Sequence, residues 1–167
     1  LTKRIGKFQL RNKTVLIPEM NRIAAHLMAA TFRSFCINAM VLQTYKGLDL
    51  GKKYTSGKEC FPCQITLGDI LLFLKTEQEK LGAAFDPENY VYFLPESDGP
   101  CRFGMYNKYQ RMVLDSFPGL DRVKIASITT KDGYSLEGVI EKERMLDFRK
   151  ASYIAVVVAD IMERLLW

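Results

Sequence analysis

The fold turns on residues 14–35. Thr14-Val15-Leu16-Ile17 is followed by Pro18-Glu19-Met20-Asn21 and then by Arg22-Ile23-Ala24-Ala25-His26-Leu27-Met28-Ala29-Ala30-Thr31-Phe32-Arg33-Ser34-Phe35. The first four residues form a short apolar run stopped by proline, the pattern of a strand buried on both faces. Asn21 is a helix N-cap by type, because its side-chain oxygen can accept a free backbone N–H of the first turn. Behind it Ile23, Ala24, Leu27, Met28, Thr31, Phe32 and Phe35 recur at helical spacing.

The same alternation continues outward. Residues 38–42, 90–94 and 123–128 are further runs rich in Val, Ile and aromatics that read as strands. Between them the pattern predicts a helix over 64–81 ended by Gly82 and another over 107–117 stopped by Pro118-Gly119. A last helix starts near Glu141 and runs towards Trp167. Strands alternating with helices through short connections predict an α/β fold, a doubly wound, mostly parallel sheet of about four strands with helices on both faces. Asp132-Gly133 is a turn signal.

The 167 residues suit a single Rossmann-like α/β domain: a basic arm over 1–12, a core over 13–135 and a C-terminal helix over 136–167. The chain has no initiator Met and stops at Leu165-Leu166-Trp167, so the expectation is one domain of a longer protein. The net charge is +5, with Lys3, Arg4, Lys7, Arg11 and Lys13 crowded at the start. No groove-reading motif or aromatic stacking platform accompanies them, so a solvated arm is the plain reading and nucleic acid is not an expected partner. The longest apolar run, residues 153–159, is far short of the ~20 residues that span a bilayer, and no membrane association is expected. Four cysteines are too sparse for a secreted disulfide scaffold. A reducing cytoplasm is the expected compartment, where a CxxC points to metal or redox chemistry.

Topology sorts the cysteines. In a parallel sheet all strand C-termini share one edge, and ligands bind there. Cys60 and Cys63 follow the second strand, in the long stretch 43–63 that reads as irregular; a loop of about twenty residues in a compact domain is usually functional. Cys101 follows the third strand. All three thiols are therefore expected at the same edge, in adjacent loops. Cys36 precedes the second strand and belongs to the opposite edge, ~17 Å away across a strand; it reads as a small buried hydrophobe.

Three convergent thiolates suit a soft metal, and a [4Fe-4S] cluster in particular, leaving one iron without a protein sulfur. Pro62 stiffens the CxxC, and the helix that follows offers N–H groups and a positive dipole end to anionic sulfur. Gly99, Pro100 and Gly104 allow the second loop to turn tightly. Lys58 and Glu59 are expected beside the site. Zinc is an alternative, but needs a fourth ligand, and the sole histidine is His26 inside the first helix. A thiol–disulfide couple at Cys60 and Cys63 is another alternative, as is a set of unligated structural thiols. The stretch from Gly51 to Glu59 looks superficially like a phosphate loop. Its glycines are five residues apart rather than four, and Glu59 stands where the hydroxyl should be. A single histidine and no G-x-S-x-G weaken any hydrolase triad.

Two strings also carry a resemblance: Tyr54-Thr55-Ser56-Gly57-Lys58-Glu59-Cys60-Phe61-Pro62-Cys63 and Gly99-Pro100-Cys101-Arg102-Phe103-Gly104-Met105-Tyr106-Asn107, with Val15-Leu16-Ile17-Pro18-Glu19-Met20 in support. Over roughly residues 12 to 130 the chain resembles the C-terminal region of large activator-like proteins of 2-hydroxyacyl-CoA dehydratases, the CoA-substrate-specific enzyme activase family. The resemblance implies an anaerobic system in which ATP hydrolysis drives a low-potential electron into a dehydratase. It also implies a [4Fe-4S] cluster held by Cys60, Cys63 and Cys101. The implied partners are the remainder of a larger activase-like polypeptide and an acyl-CoA dehydratase-like protein. The Gly- and Asp-containing nucleotide motifs of the family's sugar-kinase-like ATPase are missing, as is a second dehydratase-like domain. The chain alone is therefore expected neither to hydrolyse ATP nor to dehydrate an acyl-CoA. No catalytic residue is assigned.

Overall fold

The structure, a computed structural model, describes residues 4–129, 131 and 133–166. Its centre is a sheet of strands β1 (Ile5–Gly6), β2 (Thr14–Ile17), β3 (Asn38–Val41), β4 (Tyr90–Phe93) and β5 (Lys124–Ala126). Among the described residues all of them run parallel, in the order β1-β5-β4-β2-β3. The helices are α1 (Arg22–Ser34), α2 (Leu48–Lys53), α3 (Phe61–Leu81), α4 (Tyr106–Asp115) and α5 (Met145–Leu165). This is the expected doubly wound α/β fold, with one strand more than predicted.

The strand residues alternate between two apolar layers, as the period of two requires. Val15, Ile17, Ala39, Val91, Phe93 and Ala126 face the layer of α1 and α5. Leu16, Tyr92, Leu94 and Ile125 face the layer of α3 and α4. Phe32 of α1 is the hub of the first layer, with ring centres 5.4 Å from Phe93 and 5.0 Å from Phe148 of α5.

Asn21 caps α1 as expected, its Oδ1 accepting the N–H of Ala24 at 2.8 Å. The buried stripe of α1 is turned slightly from the predicted one. Ala25, Ala29, Thr31 and Phe32 are buried, while Ile23, Ala24 and Leu27 are half-buried. Gly82 ends α3 with φ +52°, where a side chain would be strained. The last helix begins at Met145, after a 3-10 turn over Lys142–Arg144, and is described to Leu165; Trp167 lies outside the described residues. So does Asp132 of the expected Asp132-Gly133 turn, and Lys3 of the basic cluster.

Three expectations are corrected. The basic arm is not simply solvated: Ile5 and Gly6 pair with Ile125 and Ala126, and Arg4 is anchored by Asp115 at 3.1 Å and Asp121 at 3.5 Å. The stretch 43–63 is not wholly irregular, since it contains α2. Cys36 is at the opposite sheet edge as expected but is exposed, in a turn at φ +61°. No helix of the described residues is long and apolar enough to cross a membrane.

Candidate functional site

The site is built around the N-terminus of α3. Cys60 is its N-cap residue, Pro62 occupies its first turn, and the Cys63 N–H donates to the Cys60 carbonyl at 2.9 Å. Proline costs nothing there because the first N–H groups of a helix have no partner within it. The loop before Cys60 is held at its base by backbone packing of α2 on α3. A Cβ on Gly47 would sit 2.0 Å from the Gly68 carbonyl oxygen, and one on Gly51 would sit 1.9 Å from that of Gln64. Only glycine allows this approach. It also disposes of a phosphate-loop role for Gly51, which is buried inside α2.

Asp69 of α3 closes the same seam, its carboxylate accepting the Gly47 N–H at 3.0 Å. Burial pushes the Asp69 carboxyl up, partly offset by hydrogen bonds from Gly47, Tyr45 and Thr44.

Residues 54–59 then fold back on themselves. Glu59 accepts both the backbone N–H and the hydroxyl of Ser56 at 3.0 Å. Desolvation pushes its carboxyl up, but hydrogen bonds from its own backbone and from Ser56 outweigh it, leaving the value below the usual one. The Tyr109 hydroxyl donates to the Tyr54 carbonyl at 2.7 Å.

The second cysteine loop follows β4. Its start is an irregular continuation of the sheet, with the Glu96 N–H donating to the Ile128 carbonyl at 2.9 Å. Glu96 is paired with Lys108 at 2.8 Å and accepts the Asn107 amide at 2.8 Å. Gly104 lies so close to the Ser97 carbonyl that a Cβ would be 2.3 Å from it. Arg102 joins this loop to the first, donating to the Lys58 carbonyl at 2.7 Å.

Cys60 and Cys63 open on a cavity of about 200 Å³, lined also by Glu59, Arg102, Tyr106 and Tyr109. Lys58 lines it too, so both residues expected beside the site are there. Cys63 is buried, and its thiol is pushed up to about 11 by desolvation and by the charge of Glu59. Tyr106 is buried among the sulfurs. Its phenol is raised first by desolvation, then by a hydrogen bond with Cys60 and by the charges of Cys60, Cys63 and Cys101.

Cys101 is exposed, next in the chain to the cavity-lining Arg102. All four cysteines are free thiols. His26 is on the exposed face of α1, across the sheet from this cavity.

In kind, this donor set fits a cluster: sulfur supplies every candidate ligand, the choice of soft metals. In position it is less complete. Two thiols share the cavity and the third stands on the adjoining loop, so among the described residues no three Cys, His, Asp or Glu side chains are placed to hold a common metal ion.

Sequence reasoning missed Gln110. Its side chain is fully buried between α4 and α3, with Nε2 donating to Thr66 Oγ1 at 2.8 Å. The signal was available: Tyr106, Gln110 and Leu114 recur at the spacing of one helix face, and a carboxamide interrupts it. Comparisons with known proteins give no match, whether to family models, curated proteins or solved structures.

Proposed function

We propose that the chain is the iron–sulfur-binding module of an anaerobic, ATP-coupled electron-transfer system of the 2-hydroxyacyl-CoA dehydratase and activase type. Cys60, Cys63 and Cys101 would hold a [4Fe-4S] cluster. One observation carries the reading: the start of α3, which bears Cys60 and Cys63, and the loop that bears Cys101 adjoin at the strand C-terminal edge, joined by the Arg102–Lys58 hydrogen bond.

A bound cluster would supply one-electron chemistry at low potential. The chain's own residues would do the rest. Pro62 and the α3 N-terminus orient the CxxC sulfurs, and the aromatic rings of Tyr106 and Tyr109 limit water around them. ATP hydrolysis would belong to another part of the system, since Gly51 and its neighbours serve packing.

The alternatives gain less. A structural zinc site would have to complete its ligands with the Glu59 carboxylate beside the thiols, because His26 lies across the sheet. A thiol–disulfide couple at Cys60 and Cys63 leaves Cys101 without a role.

The test is anaerobic reconstitution of the whole chain with iron and sulfide. The reading expects about four irons and four sulfides per chain, broad absorbance near ~400 nm, and loss of iron when any one of Cys60, Cys63 or Cys101 is changed to Ser. Colourless protein that takes up one zinc per chain and no iron would overturn it.

A further inference from the structure

A hollow of about 680 Å³ lies between α5 and the ends of β4 and β5, on the side of the sheet away from the cysteines. Its floor is apolar. Phe93 is the last residue of β4, Ile128 follows β5, and Leu136 is buried beside them. These positions put the hollow at the strand C-terminal edge, where doubly wound folds bind their ligands. One flank of α5 makes its wall, with Arg149, Ser152, Tyr153 and Val156 at the spacing of a single helix face. The volume falls within the range of small-molecule sites, about 300–1,000 Å³.

Three polar side chains interrupt the apolar lining, and none has a partner among the described residues. Arg149 and Lys150 are exposed at the mouth, with no ion pair or side-chain hydrogen bond. No acidic side chain of the described residues lines the hollow. Ser152 Oγ, one helical turn further on, is buried and unpaired. Thr31 of α1 and Thr66 of α3 instead turn their hydroxyls back on their own helices, at 3.0 and 2.8 Å. Packing calls for none of the three. Alanine at 152 would strand no hydroxyl, and two adjacent cations without counter-ions repel each other.

We propose that this hollow binds a long-chain fatty acid, its chain on the Phe93, Ile128 and Leu136 floor and its carboxylate held by Arg149, Lys150 and Ser152. An apolar chamber accepts a hydrocarbon chain without leaving polar groups unpaired. A guanidinium, an ammonium and a hydroxyl donor together match a single anionic head, and charge-assisted hydrogen bonds to it are the strong ones. The proposal is independent of the cluster reading, because Cys60 and Cys63 belong to the opposite apolar layer.

The test is isothermal titration calorimetry of the metal-free full chain with octanoate, decanoate and dodecanoate, each below its micelle concentration. One dodecanoate should bind per chain, and each added methylene should tighten binding about fourfold. Dodecyltrimethylammonium, with the same chain and the opposite charge, should bind at least about tenfold more weakly. Arg149→Gln combined with Lys150→Gln, at exposed positions that hold no contact of the fold, should lose about tenfold in dodecanoate affinity. Val156→Trp, also at an exposed position, should fill the hollow and abolish binding.

No dodecanoate binding, an affinity flat with chain length, or full binding by Val156→Trp would overturn the site. Equal affinity for the two head groups, or for the parent and the double variant, would overturn the seat of the carboxylate. Sedimentation velocity and co-sedimentation with phosphatidylglycerol vesicles complete the test. A dimer that dodecanoate does not dissociate, or vesicle binding that dodecanoate does not displace, would give the hollow to a second copy or to a membrane and overturn the proposal.

Discussion

The two helical layers of this domain are fastened in opposite ways. On the cysteine side, α2 meets α3 backbone to backbone, through Gly47, Gly51 and Gly68, with Asp69 closing the contact. On the other side, α5 meets α1 through side-chain volume. Phe148 is wedged against Phe32 and Phe35 at 5.0 and 5.1 Å between ring centres, and Ala155 and Ala159 are buried further along. Beside that seam lies an apolar hollow of about 680 Å³, lined by Phe93, Leu136, Leu146, Tyr153 and Val156 among others. The difference is one of tolerance. A backbone seam has no slack for an added atom, whereas an aromatic seam next to empty space can repack. The rigid seam is the one that carries the loop to Cys60.

Breaking the backbone seam should have the largest effect. In Gly68→Ala the new methyl would sit 2.0 Å from the Gly47 carbonyl oxygen, and α2 must move away. The expected loss is about 3 kcal/mol or more, at the upper end for overpacked cores. Urea unfolding would measure it, and a loss below about 1 kcal/mol would show that the seam yields.

A smaller effect comes from pH. The Cys63 thiol is raised from 9.0 to about 11 in the folded chain, so the folded state holds this proton more tightly than the unfolded one. Its contribution to stability is complete below pH 9 and is lost as pH rises to 11. The metal-free parent should therefore lose stability over that window more steeply than Cys63→Ala. Parallel profiles would show that the buried thiol does not distinguish the two layers.

The smallest effect is expected at the aromatic seam. Phe148→Leu keeps an apolar side chain beside a hollow that lets its neighbours shift, and should cost about 1 kcal/mol in urea unfolding. A cost near that of Gly68→Ala would erase the contrast between the layers.

The sequence made the sheet legible where its signals are local. Thr14-Val15-Leu16-Ile17, the Asn21 cap and the Gly82 stop depend on neighbours in the chain, and each is found in place. α2 was not legible because it is six residues long with a glycine inside, too short for periodicity and against propensity. Its reason for existing, contact with Gly68, is a tertiary one. β1 was hidden for a similar reason. Two residues give no pattern, and the ion pairs of Arg4 with Asp115 and Asp121 span more than a hundred residues. At the site, topology alone brought Cys60, Cys63 and Cys101 to one edge. It could not tell which thiols share a cavity, nor that the turn at Cys36 would expose its side chain.

Helix α5 also sets how the isolated chain behaves in concentrated solution. Tyr153, Leu165 and Leu166 are 72, 81 and 76 % exposed, and Ile154 and Ile161 stand open beside them. Water gains by losing contact with such a surface, and at low ionic strength the +5 charge opposes close approach of two copies. Added salt shortens that repulsion to about 10 Å at 0.1 M and leaves the apolar attraction intact. Colloidal stability of the purified domain should therefore decline as buffer strength rises, well before any part of its interior unfolds.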